Sequence, residues 1–99
     1  MENILYGARA AQLVEVGQVV ASALRSSFSE RESDYLGVYL QGFSGSTKVR
    51  VVSQPDPEGE LLEPDFPEYR TLVYLDGADT LPSLDGLEFE EGIIDLLRR

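Results

Sequence analysis

The chain of 99 residues carries 18 acids against 8 bases, a net charge of −10, and contains neither cysteine nor histidine. Without cysteine no disulfide scaffold can form, and without either residue zinc, copper and iron lose their usual ligands. The length fits one domain spanning 1–99, and a hydrophobic content of 42% is enough to fold a core despite the charge.

A domain of this size buries only about 60–70% of its unfolded surface, so its stability is expected to be modest or shared with a partner subunit. No apolar run approaches the roughly 20 residues that span a bilayer, and Met1 to Leu5 lacks the basic start and apolar run of a signal peptide. The expectation is a soluble, cytoplasmic protein. Its charge is divided unevenly. Residues 1–53 hold five acids and five bases, whereas 54–99 hold thirteen acids and three bases, which is the whole of the −10. Such a surface repels phosphate, so nucleic acid and anionic membranes are not expected as direct partners; a basic protein is.

In chain order, residues 4–28 place Leu5, Leu13, Val16, Val19, Val20, Ala23, Leu24 and Phe28 on one arc at 100° per residue, which predicts a long helix capped near Asn3. Gly17 inside it is read as a point of close packing, with a kink as the other reading. Residues 35–43 and 47–53 are β-rich and joined by Ser44-Gly45-Ser46, predicting an antiparallel hairpin with both faces of its first strand apolar. A long segment, QPDPEGELLEPDFPEY, follows as an acidic, proline-rich loop. Residues 69–76 are again apolar on both faces, the pattern of a central strand. After a loop over 77–84, Asp85 and Glu88 have capping-box spacing, and Leu87, Phe89, Ile93, Ile94, Leu96 and Leu97 predict a C-terminal helix ending in Arg98 and Arg99.

The predicted fold class is therefore α+β: a long N-terminal helix, a three-stranded, mainly antiparallel sheet with the acidic loop between its second and third strands, and a C-terminal helix. One helix covers one sheet face. The second apolar face calls for helices on both sides or for a homodimer, and the dimer is the favoured reading.

Catalytic patterns fail on inspection. Gly42-Phe43-Ser44-Gly45-Ser46 lacks the last glycine of a nucleophile elbow, any histidine, and the strand-to-helix setting. Gly45-Ser46-Thr47-Lys48 has phosphate-loop residue types in the wrong order, so Lys48 and Arg50 are read as a solvated strand face. The pairs Glu90–Glu91 and Glu30–Glu32 have no cleft motif around them. Counting an EF-hand from Asp76 puts Ala78, Leu81 and Leu87 where ligands or glycine are required, although Asp79 and Asp85 lie nearby. No enzyme, cofactor or metal is expected.

The acidic segment itself combines charge with apolar anchors. Asp56, Glu58, Glu60, Glu63, Asp65 and Glu68 are interleaved with Leu61, Leu62, Phe66 and Tyr69, and prolines limit the entropy lost on ordering. An inert solvated loop is the competing reading. The partner-binding residues are predicted to be Asp56, Glu58, Glu60, Glu63, Asp65, Phe66, Glu68 and Tyr69. In size and charge the chain resembles bacterial immunity proteins, antitoxins and phage anti-defence inhibitors, without a family motif. That resemblance of type implies an inhibitor blocking the basic cleft of a toxin, nuclease or other nucleic-acid-binding protein. The alternative is a small dimeric chaperone or adaptor, like those of secretion systems, holding a client through apolar surface.

Overall fold

The computed structural model describes residues 2–77 and 81–97. In chain order these form β1 (Glu2–Ala8), α1 (Leu13–Leu24), β2 (Ser29–Ser33), β3 (Gly37–Ser44), β4 (Thr47–Ser53), β5 (Thr71–Gly77), β6 (Glu88–Phe89), β7 (Gly92–Ile93) and β8 (Asp95–Leu97). Six of the strands make one sheet in the order β2-β3-β4-β5-β1-β8, and β6 with β7 makes a separate ribbon. Every pairing is antiparallel. The strand expected to be central is central: β5 pairs with β4 from Lys48↔Asp76 to Ser53↔Thr71 and with β1 from Glu2↔Gly77 to Ala8↔Thr71. The expected hairpin is β3–β4, turning at Gly45 with φ +61°.

Alternation along these strands splits the core into two layers. Tyr6, Ala8, Val49, Val51, Val73 and Leu75 pack with Val16 and Val20 of α1 on one side. Leu5, Val52, Leu72 and Leu97 form the other side, where Tyr69 is buried with them and Leu62, Phe66, Leu36, Tyr39 and Tyr74 pack against them. The second cover is thus the acidic segment between β4 and β5, turned so that its apolar residues face the sheet. The second apolar face, one ground for expecting a homodimer, is covered by the chain itself.

The α+β architecture with two long helices is corrected to a mainly β fold with one short helix. Residues 4–8 are apolar at both parities, which fits a helix wheel and a doubly covered strand alike. Seven paired residues with β5 and three with β8 settle them as strand. The helix begins only at Leu13 and ends at Arg25, which takes the left-handed conformation (φ 52°, ψ 44°) while Ser26 N–H donates to Ala21 O at 2.9 Å and Arg25 N–H to Ser22 O at 3.2 Å, a Schellman closure. Ser29–Ser33, just beyond the expected helix, forms an edge strand through Ser29↔Gln41 to Ser33↔Gly37. At Gly17 the close-packing reading holds: a Cβ there would lie 2.2 Å from Leu40 Cδ1.

The C-terminal helix is likewise replaced, by the β6–β7 ribbon and β8. Gly86 (φ +84°) and Gly92 (φ +135°) hold conformations that no right-handed helix contains. Ile94 and Leu97 are buried while Ile93 and Leu96 are exposed, so the apolar run does not act as one helical stripe. Asp79, Arg98 and Arg99 lie outside the described residues.

Close approach between the lid segment and the sheet leaves no room at Gly7. A Cβ there would sit 2.7 Å from Tyr69 Cδ1 and 2.8 Å from Leu97 Cδ1. Gly7→Ala is expected to lower stability by about 1–3 kcal/mol through overpacking, measured as a reduced urea midpoint.

Candidate functional site

Seventeen residues without a strand or helix can hold one shape only if their backbone polar groups find partners. Buried Gln54 supplies them. Its amide nitrogen donates to Phe66 O and Tyr69 O, both at 2.8 Å, and its Oε1 accepts the Glu63 N–H at 3.1 Å. The backbone closes the base of the segment, Gln54 N–H donating to Arg70 O and Arg70 N–H to Ala8 O, each at 3.0 Å. At the tip, Asp56 Oδ1 accepts the N–H groups of Glu58 and Glu60, both at 2.9 Å. This turns the chain back at Gly59 (φ +85°). Pro57 rests on the β2–β3 turn, 3.0 Å from where a Cβ of Gly37 would be. The segment is ordered by its own chemistry, from Gln54 at the base and Asp56 at the tip.

The residues predicted to bind a partner separate into two groups. Glu58, Glu60, Asp65 and Glu68 are exposed on the outer surface. Asp56 faces the same groove as Glu58 and Glu60 but spends one carboxylate oxygen on the tip turn. Glu63 is half-buried and accepts the Tyr74 hydroxyl on Oε2 at 2.9 Å, so it ties the segment to β5. Phe66 is half-buried and meets Tyr69 edge-on, with centroids 6.3 Å apart. Tyr69 is buried: its hydroxyl donates to Asp95 Oδ2 at 3.0 Å, and the Arg9 guanidinium lies 5.0 Å from its ring centroid. The two aromatics predicted as anchors are therefore packed inward.

An exposed aromatic does stand beside the acids. Tyr35, 69% exposed in the β2–β3 turn, lines with Asp34, Asp56, Glu58, Glu60 and Leu61 an open groove of about 490 Å³. Four carboxylates surround one ring and one aliphatic side chain. Alternation alone puts Tyr35 on a strand face, and the groove becomes visible only when the loop tip folds against the turn. Gln54 had no sequence signature either, since one buried amide has no period.

A neighbouring cleft of about 330 Å³ runs between the segment and the sheet, lined by Leu36, Val52, Leu62, Glu63, Tyr74 and Arg50 among others. Arg50 lies over the Tyr74 ring at 5.5 Å and 3.8 Å from Asp76, and its Nε is buried without a hydrogen bond. It belongs to the margin of the lid and is only one-third exposed, not a fully solvated strand face. Among the described residues no group of three or more acids forms a metal-binding cluster, and no helix is long and apolar enough to cross a membrane.

Comparison of the chain with protein-family models, with curated proteins and with solved structures finds no match.

Two outcomes follow from this geometry. Gln54→Ala removes the partner of two carbonyls and one N–H and is expected to cost about 1–3 kcal/mol, measured by urea unfolding, with loss of the dispersed NMR shifts of 55–69. Burial, then the hydrogen bond and charge of Asp95, raise the Tyr69 pKa above its ordinary value of 10.0. The folded state thus keeps the phenol proton that the unfolded state releases first. This contribution is complete below pH 10 and is lost as pH rises through the raised folded value. Tyr69→Phe is expected to flatten the decline of the urea midpoint in that alkaline range.

Proposed function

We propose that this chain is a small acidic protein-binding protein, of the inhibitor type, that blocks a basic cleft of a partner. The observation that carries the reading is the two-sided use of residues 54–70. Leu62, Phe66 and Tyr69 pack against the sheet while Glu58, Glu60, Asp65 and Glu68 stay exposed. A carboxylate surface held in this way loses little entropy on binding. Its charges steer a basic partner, and Tyr35 with Leu61 offers the apolar contact that charges alone lack.

The chaperone reading places a client on the apolar surface of the sheet and helices, and one face of that sheet is covered by the chain's own segment. Blocking of a basic cleft has the stronger support. The arginine and lysine side chains of such a cleft would meet Asp34, Asp56, Glu58 and Glu60 together in the groove beside Tyr35.

Titration calorimetry against a panel of basic nucleases and toxins tests this. At least one is expected to bind with an affinity that falls steeply as salt is raised, and Glu58→Gln/Glu60→Gln is expected to weaken it about tenfold or more. Affinity indifferent to both salt and these substitutions overturns the reading.

A further inference from the structure

The open edge of the sheet at β2 is a main-chain feature that the acidic surface does not account for. β2 pairs with β3 and ends the strand order, and four of its five residues are exposed. Its outer N–H and C=O groups have no strand beside them among the described residues, which makes it a template for another strand. Glu30 and Glu32 stand opposite Leu40 and Val38 and project on the helix side of the sheet; Arg31, opposite Tyr39, projects on the other.

Which strand it accepts follows from antiparallel geometry. Along an edge, alternate residues turn their N–H and C=O outward, so two copies of one edge pair even positions with even and odd with odd. In the fully overlapped register of two β2 strands, Arg31 faces Arg31 of the other copy, and Glu30 faces Glu32 twice. Like charges directly opposite oppose pairing. The same pattern favours a strand bearing lysine or arginine at positions i and i+2, with a neutral or acidic residue between them to face Arg31. β2 then leads, past Ser33, into Asp34 and Tyr35 at the wall of the acidic groove, which Glu58 and Glu60 also line.

We propose that β2 binds an extended basic segment of the partner by strand addition, with its cations on Glu30 and Glu32 and its continuation in the groove at Tyr35. This rests on the reading of the chain as a binder of basic protein, and it names the shape in which the basic partner is taken. A second copy of this chain is disfavoured at the same edge by its own charges.

The test uses the full chain and the acetylated, amidated peptide Val-Lys-Thr-Lys-Val, followed by NMR. Added peptide is expected to slow amide exchange at alternate residues of 29–33. Two versions N-methylated on alternate peptide nitrogens keep the charge but remove one set of donors each; one is expected to bind about tenfold more weakly and the other nearly as the parent. Glu30→Lys/Glu32→Lys, at exposed positions that leave the fold intact, is expected to weaken the parent peptide about tenfold or more. If both methylated peptides bind like the parent and shifts are confined to 56–61, strand addition is overturned while the acidic surface stands as the binding site. Absence of any peptide binding also overturns strand addition, and the calorimetric salt test on basic proteins then judges the broader reading by itself.

Discussion

A sheet that is apolar on both faces but has one helix of twelve residues must find a second cover, and everything else in this molecule follows from how it does so. Val49, Val51, Val73 and Leu75 go under α1; Leu5, Val52, Leu72 and Leu97 go under residues 54–70. A cover without regular structure has no ladder to satisfy its backbone. The buried amide of Gln54, reaching three backbone groups from a position at the end of β4, substitutes for one. Burying such a group is favourable only because each of its polar atoms is used.

With the apolar residues of the segment committed to the sheet and Glu63 bonded to Tyr74, four of its acids are left facing water. Glu58, Glu60, Asp65 and Glu68 face water because the prolines and the Asp56 turn hold the backbone between them. Structure and proposed function therefore rely on the same seventeen residues, and a substitution that loosens the cover also disperses the charge. The position of Pro57 on the β2–β3 turn joins this surface to Asp34, Tyr35 and the open strand edge. A partner bound there would meet charge, one aromatic ring and main-chain hydrogen-bonding groups along a continuous path.

The strands that turn locally were legible in the sequence, and the elements that pair at long range were not. β3–β4 announces itself through Gly45 between β-rich runs, and β5 through apolar residues at both parities. β1 carries the same two-sided pattern, but at Leu5 and Tyr6 it runs on into the helical period of 13–24 and reads as one long helix. β2 is polar because an edge strand needs little apolar surface, so Ser29–Ser33 gave no strand signal. Near the C-terminus, the positive φ angles of Gly86 and Gly92 decide against helix, and composition alone does not reveal them. At the candidate site the acids were legible and their orientation was not. Phe66 and Tyr69 read as anchors for a partner, because nothing in the sequence shows that Gln54 draws their carbonyls, and with them their rings, onto the sheet.

The central claim is that 54–70 is a layer of the folded core and not a solvated tether. Native-state hydrogen exchange of the unbound chain tests it most directly. The amides of Glu63, Phe66, Tyr69 and Arg70, each of which donates within the cover or to β1, are predicted to exchange as slowly as those of β4 and β5. Exchange of these four at the rate of an unfolded peptide, while β4 and β5 stay protected, would contradict the account.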